Sequence, residues 1–280
     1  MLKGRSIYRG KAEGRVLKLQ NALSFLGGVE ASTGEIKVEN GGNVADRILV
    51  FPRGKGSTVG SFVMYDLKAH GKSPLAIINS SAETIVATGA VISSIPMIDG
   101  IDVDLIKDGD RAVVDADSGT VELPDVVKKT VASSVVMVDG KILMLHRPAT
   151  ARSYPGRWSL VSGKREDGEQ MVDTARREIS EETQIKVSEP ISSLPPVYVR
   201  EKNIIWEVYP FLFDAGEQRP ILNGENTEYR LVTPDEMKGL DLVDLTIEMV
   251  SNLTKRSRTK RQGTFVVSWP CYSSLQSRSW

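Results

Sequence analysis

The sequence predicts an α/β protein built as two successive domains, and three observations carry that expectation. Up to about Pro124, short apolar runs alternate with glycine clusters and one helical stretch. After about Val126 the pattern changes to hairpins that flank a strongly charged amphipathic helix. The length of 280 residues exceeds the usual size of one core, and 40% hydrophobic residues are ample to fill two.

In the first part, Arg47-Ile-Leu-Val-Phe51, Leu75-Ala-Ile-Ile78 and Arg111-Ala-Val-Val-Asp115 read as strands, and Thr58 to His70 reads as a helix between the first two. The result is strand, glycine-rich turn, helix, strand. The turn Gly54-Lys55-Gly56-Ser57-Thr58 therefore presents main-chain N–H groups and a hydroxyl at a helix N-terminus, which suits an anion. It is not a Walker motif, because Gly54-Lys55 is followed by Gly56 and Leu49 stands where the leading glycine belongs. Ser57 has a plainer reading as a helix cap.

Pro124, Asp125 and Val126 form a short linker. Val131–Val138, then Asp139-Gly140, then Lys141–His146 is a hairpin whose two-residue turn is strongly typed. Residues 163 to 185, GKREDGEQMVDTARREISEETQI, follow. On a helix Glu178, Glu181 and Glu182 sit at i, i+3 and i+4, so their carboxylates crowd onto one face and repel. A hard divalent cation, Mg²⁺ or Mn²⁺, relieves that repulsion, bridges substrate phosphates and activates a water. A solvated charged face is the bland alternative. Further on, Val197–Phe213 reads as a second hairpin around Lys202-Asn203, and Glu228–Val232 as a strand. Thr233-Pro-Asp-Glu opens a helix with proline at its first position, and Leu242 to Leu253 supplies another. Trp158, Tyr198, Trp206 and Tyr229 occupy strand positions, where aromatic residues usually serve packing.

Gly163, Glu169 and Arg177-Glu178-Ile179-Ser180-Glu181-Glu182 hold the offsets of the Nudix box, and residues 130 to 253, with Arg147 and Tyr154 to Gly163, resemble the Nudix family. The resemblance implies an α/β/α sandwich that hydrolyses a nucleoside diphosphate linked to another group. Glu178, Glu181 and Glu182 would hold the cation with help from the Gly163 carbonyl, Arg147 would touch substrate, and Glu169 with Arg177 would brace loop and helix. Glu182, Glu225 and Glu228 are all candidates for the base. Gln184 departs from the pattern, which places glycine after the helix. It must adopt a left-handed conformation at a cost of ~1 kcal/mol or end the helix differently.

Ser24-Phe-Leu-Gly-Gly-Val29, Phe51 to Gly60, Ala76-Ile-Ile-Asn79 and Asp108 to Asp117 occur in order, and together residues 1 to 124 resemble the small, swivelling subunit of the archaeal aconitase-X proteins, the phosphomevalonate dehydratases. That resemblance implies a swivelling β/β/α domain docked on an aconitase-X-type large subunit, which carries the iron-sulfur cluster. The implied reaction converts (R)-5-phosphomevalonate to trans-anhydromevalonate 5-phosphate. Ser57 matches the family's proton acceptor, a role that needs an alkoxide stabilised by N–H groups or cations. Arg53, Gly54, Lys55 and Gly56 would bind the anionic substrate.

Lys plus Arg and Asp plus Glu both number 36, so no global field favours nucleic acid or an anionic membrane. Small phosphates and pyrophosphates are the expected substrates, and a homo-oligomer is left open. One cysteine, Cys271, excludes an internal disulfide and points to a reducing cytoplasm. No secretory signal or membrane-spanning run is expected. His70 and His146 end a helix and a strand and show no triad spacing. Residues 254 to 280, basic at Lys255 to Arg261 and then Ser-rich, read as a disordered tail. Three functions stay open: a bifunctional enzyme component, a Nudix hydrolase with a scaffolding first domain, and a nucleotide sensor. A pyrophosphate of isoprenoid metabolism as shared substrate class is motivated by the fusion alone.

Overall fold

The computed structural model describes residues 1–38 and 41–261. It is mixed α/β with two eight-stranded sheets and divides into two compact units, residues 1–129 with 198–206, and the remainder from Thr130.

The first unit contains β1 (Leu2–Lys3), β2 (Arg5–Tyr8), β3 (Lys11–Lys18), a kinked turn α1 (Phe25–Gly28), β4 (Arg47–Phe51), α2 (Val59–Ala69), β5 (Ala76–Asn79), α3 (Thr84–Ile92), β6 (Met97–Asp99), β7 (Arg111–Asp115) and β8 (Thr120–Glu122). Its sheet runs β1-β8-β7-β3-β4-β5-β6-β2, with β3, β4, β5 and β6 parallel. The period-2 alternation of β4 explains the layering. Ile48 and Val50 join one core with Val16, Ile78 and Val114, while Leu49 and Phe51 join another with Met64 and Leu67 of α2 and Val86 of α3. Residues 198–206 belong to this unit as well: Ile205 packs in the first core, and Arg200 forms a buried ion pair with Asp110 at 3.0 Å.

The second sheet holds β9 (Val127–Val138), β10 (Lys141–His146), β11 (Trp158–Ser159), β12 (Val161–Lys164), β13 (Ser192–Ser193), β14 (Val197–Glu201), β15 (Ile204–Asp214) and β16 (Glu228–Val232). The order is β11-β10-β9-β15-β13, with β12 on β9, β14 on β15 and β16 on β10. Helix α4 (Met171–Thr183) places Ala175 and Ile179 against Val136, Leu143 and Phe213, and α5 (Thr246–Arg261) places Val250 and Leu253 against Val135, Ile142 and Met144. Asp139 and Gly140 make the expected hairpin turn with φ of 49° and 72°.

Two helix expectations need correction. After Thr233 the cap does form, since Thr233 N–H donates to the Glu236 carboxylate at 2.7 Å, yet only a 3₁₀ turn Glu236–Gly239 follows. The chain is pulled out of helix because Trp158 N–H bonds the Asp241 carbonyl and Val243 N–H bonds the Trp158 carbonyl. For the same reason the last helix starts at Thr246 and not Leu242. It then continues to Arg261, so the basic run read as a disordered tail is helical through that point, and the rest of the expected tail lies outside the described residues. Among the described residues no helix is long and apolar enough to cross a membrane.

Candidate active sites

The charged helix and the strand before it build the first site. Gly163 sits on β12, paired with Ala132 of β9, so its main chain is held in a sheet. A Cβ at Gly163 would lie 1.7 Å from the Glu178 carboxyl carbon and 1.9 Å from Oε1, closer than any real contact. Only glycine lets the helix carboxylate lie against this strand.

The three carboxylates are unequal. Glu182 is 6% exposed and receives the Asn226 Nδ2 hydrogen bond at 2.9 Å and a Ser162 main-chain hydrogen bond. Burial first, and then the charges of Glu178 and Glu225, push its pKa up to about 8. Burial also raises Glu178, opposed by the Arg177 guanidinium. Glu181 is exposed and reaches Arg177 at 3.0 Å.

Arg177 is the hub of this network. Its Nε donates to Glu169 Oε1 at 2.8 Å, Nη1 to Glu178 at 2.8 Å, and Nη2 to the Lys164 carbonyl at 3.0 Å. The Arg177 bonds, with those from Glu166 N–H and the Thr174 hydroxyl, hold Glu169 at about 2. The brace between Glu169 and Arg177 is thus formed, and it ties the loop after β12 to α4.

Among the described residues no three His, Cys, Asp or Glu side chains are gathered closely enough to make a ready ion cage. The donor set nonetheless fits a hard divalent ion. All ligands are oxygens, Glu182 carries an electrostatic cost that a cation would relieve, and the missing Cβ at Gly163 keeps Glu178 beside a main-chain carbonyl. Such an ion would have to share Glu178 and Glu181 with Arg177.

Glu225 is exposed, held by its N–H to Asn223 Oδ1 at 3.0 Å, and close enough for its charge to act on both Glu178 and Glu182. Glu228 begins β16 opposite His146 and pairs with Arg230 at 3.7 Å. Arg147 spends its Nε on the Ser153 carbonyl at 2.9 Å. Gln184 ends α4 in the left-handed region, φ 58° and ψ 6°, the conformation usually given to glycine. Trp158 is buried beneath the Arg230 guanidinium, 4.5 Å away, and beside His146.

Sequence reasoning passed over Asn226 and set His146 aside. Asn226 is buried, His146 Nδ1 meets the Thr227 hydroxyl at 2.8 Å, and Nε2 meets the Gly156 carbonyl at 2.9 Å. An asparagine between two candidate bases was the one local cue.

The second site is the turn between β4 and α2. It is pinned by main-chain bonds from Leu23 N–H to the Arg53 carbonyl and from Lys55 N–H to the Leu23 carbonyl. Gly56 needs its freedom, with φ of 108°. Arg53, Lys55 and Ser57 are exposed. The Ser57 hydroxyl lies 3.4 Å from Val59 N–H, too far for a firm cap, and Thr58 is the capping residue of α2. Glu83, which sequence reasoning missed, starts α3 without a capping bond. Its buried Oε2 has no hydrogen-bond partner, and a Cβ at Gly54 would come within 3.0 Å of it.

A glycine-rich turn on one α/β unit and an acid-rich helix beside a glycine-bearing strand on the other mark two different domains. The family model of the aconitase X swivel domain matches residues 1–123, and that of the NUDIX domain matches residues 128–252. The chain belongs to the aconitase X swivel family through its first part and carries a Nudix domain in its second.

Residues of the first part are 58% identical over 126 positions to the phosphomevalonate dehydratase small subunit of Thermococcus kodakarensis, covering 44% of this chain and 95% of that protein. The protein of the same name from Thermococcus onnurineus is 56% identical over 128 residues, covering 44% and 98%. Among solved structures, aconitase X of Thermococcus kodakaraensis in its holo-form is 57% identical with a TM-score of 0.43, covering 44% of this chain and 96% of that one.

Proposed function

We propose that the chain is a bifunctional enzyme component, a cation-dependent Nudix pyrophosphohydrolase fused to the small subunit of a phosphomevalonate dehydratase. The observation that carries the hydrolase half is the approach of Glu178 to Gly163, which leaves no room for a side chain at the strand. A helix that merely exposed its charges would not need that glycine.

Glu178, Glu181 and Glu182, with the Gly163 carbonyl, would hold Mg²⁺ or Mn²⁺, which would supply charge neutralisation at the phosphates and acidify a water. The substrate is a nucleoside diphosphate linked to another group. Water attacks one phosphorus, the bridging P–O bond breaks, and the products are two phosphate esters and a proton. Glu225 takes that proton: it is exposed and set among the helix carboxylates, whereas the Glu182 carboxyl is already engaged by Asn226 and Ser162, and Glu228 leans towards Arg230. Arg177 and Glu169 keep strand, loop and helix in register.

For the dehydratase half, identity to the Thermococcus small subunits supports the reading, and the exposure of the Ser57 turn supports a site that another chain completes. Ser57 accepts the carbon-bound proton, and Arg53 and Lys55 bind the anionic groups. An aconitase-X-type large subunit would hold the iron-sulfur cluster, which would supply the Lewis acid for the departing hydroxyl, since one cysteine cannot hold a cluster.

The full chain is incubated with Mg²⁺ and nucleoside diphosphate sugars, (deoxy)nucleoside triphosphates, ADP-ribose and isopentenyl diphosphate, and the products of P–O–P cleavage, a nucleoside monophosphate with a sugar phosphate or pyrophosphate, or isopentenyl phosphate with inorganic phosphate, are followed by chromatography. Turnover of a nucleotide substrate that vanishes in Glu182→Gln is expected, and tight binding with no hydrolysis of any of them rejects the enzyme in favour of a sensor. Gln184 ends α4 in the left-handed conformation that the pattern gives to glycine, which supports the hydrolase over the sensor. Dehydration upon addition of a large subunit, lost in Ser57→Ala while hydrolysis persists, tests the other half; turnover by this chain alone refutes it.

A further inference from the structure

We propose that Asn226 is a positioning residue for the cation site: its side-chain amide fixes the buried carboxylate of Glu182, and His146 holds Asn226 in place through Thr227. This deepens the hydrolase reading and rests on it.

Glu182 lies at the buried end of the acidic face, and its orientation decides which oxygen turns to a cation. Asn226 Nδ2 donates to Glu182 Oε2 at 2.9 Å between two buried side chains 44 positions apart. The Ser162 main-chain N–H on the strand side also favours the carboxylate form. The carboxylate cannot rotate without breaking the Asn226 bond, and a lost hydrogen bond in a buried place costs the desolvation of its partner.

Asn226 sits in a loop, which needs an anchor to act as a fixed donor. The next residue supplies it. Thr227 N–H bonds the His146 carbonyl at 2.9 Å, and the Thr227 hydroxyl meets His146 Nδ1 at 2.8 Å. His146 Nε2 donates to the Gly156 carbonyl at 2.9 Å, since a carbonyl only accepts, and the Thr227 hydroxyl also reaches the His146 carbonyl at 3.2 Å. The imidazole is further packed on Trp158, with centroids 4.9 Å apart. Strand end, imidazole, threonine and asparagine thus form a chain of contacts that ends on Glu182. Groups that orient metal ligands in this way change metal affinity by roughly 10–100-fold when removed.

The test titrates the full-length protein with Mn²⁺ and reads free ion by electron paramagnetic resonance, so no substrate is required. Asn226→Leu keeps the volume and removes the donor, and Mn²⁺ binding is expected to weaken at least tenfold. Asn226→His, which restores an N–H donor, should recover part of it. Thr227→Val, exposed and away from the ligands, is expected to weaken Mn²⁺ by roughly threefold to tenfold with the apo melting temperature unchanged, which a merely structural role would not produce. Mn²⁺ affinity within twofold of wild type in both Asn226→Leu and Thr227→Val overturns the proposal; should Asn226→Leu not fold, Thr227→Val and Asn226→His decide it alone. Failure of the wild-type chain to bind Mn²⁺ would instead defeat the hydrolase reading itself.

Discussion

Replacing Gly163 by alanine probes the strand–helix contact from which the hydrolase reading is built. The added Cβ would sit 1.7 Å from the Glu178 carboxyl carbon. Carbon atoms need roughly 3.5 Å, so the carboxylate must retreat by about 1.8 Å. The obstacle is the end of a side chain, so it swings away at modest cost to folding, of order 1–3 kcal/mol for an added methyl in a packed place. A cation with near-ideal octahedral demands does not follow it. Misplacement of a group by about 1 Å already costs on the order of 100-fold in rate, so Gly163→Ala should lose at least that in turnover while remaining folded. Circular dichroism and thermal melting monitor the fold, Mn²⁺ titration the ligand set, and chromatography of the cleavage products the reaction. A folded Gly163→Ala chain with turnover within threefold of wild type would refute the argument, because Glu178 could then be displaced without consequence.

Gln184→Gly should stabilise the protein by about 0.5 kcal/mol, the relief of a left-handed non-glycine residue less the added entropy of the unfolded chain, read as a shift in urea midpoint; an unchanged or lower midpoint speaks against this helix end. Arg200→Ala should cost about 3 kcal/mol, because it strands Asp110, whose side chain is 14% exposed, without a counter-charge; denaturant melts of the first transition would show it, and a loss below about 1 kcal/mol contradicts it. For Glu182 the folded pKa of about 8 lies above its ordinary value, so the folded state holds the proton more tightly than the unfolded one. Stability of the cation-free protein is therefore untouched below about pH 4.5 and falls by a few kcal/mol as pH rises towards 8. Denaturation in EDTA at pH 5 and pH 8 measures the difference, which Glu182→Gln should abolish, and equal stability of the wild type at both values would count against the burial of this carboxyl.

Local signals were legible where local physics decides the outcome. Asp139-Gly140 types its own hairpin, since both residues accept positive φ, and Glu169 with Arg177 meets across one loop. The three glutamates are placed on one face by helical spacing alone. Their inequality was not legible: Glu182 is buried and Glu181 exposed because β12 and the loop bearing Asn226 cover one end of α4, and those neighbours are distant in sequence. The partners of His146 were not legible for a related reason, since Thr227 and Gly156 come from two other segments. Thr233-Pro-Asp-Glu does lead into a helical turn, which starts after Asp235, yet pairing of residues 241–243 with Trp158 ended it after one turn.

The two candidate sites also differ in how completely the chain builds them. Around Glu182, each polar contact is answered from within the same unit: Asn226 and Ser162 serve Glu182, Arg177 serves Glu169, and Thr227 serves His146. Around Ser57 the main chain is fixed by Leu23, while Arg53, Lys55 and the hydroxyl itself face solvent, and the buried Glu83 oxygen has no partner. A serine hydroxyl in water is a poor base, because nothing there holds its alkoxide. On the proposed function, the first arrangement would need only an ion and a substrate to act, whereas the second would need a surface that excludes water and aims charge at Ser57.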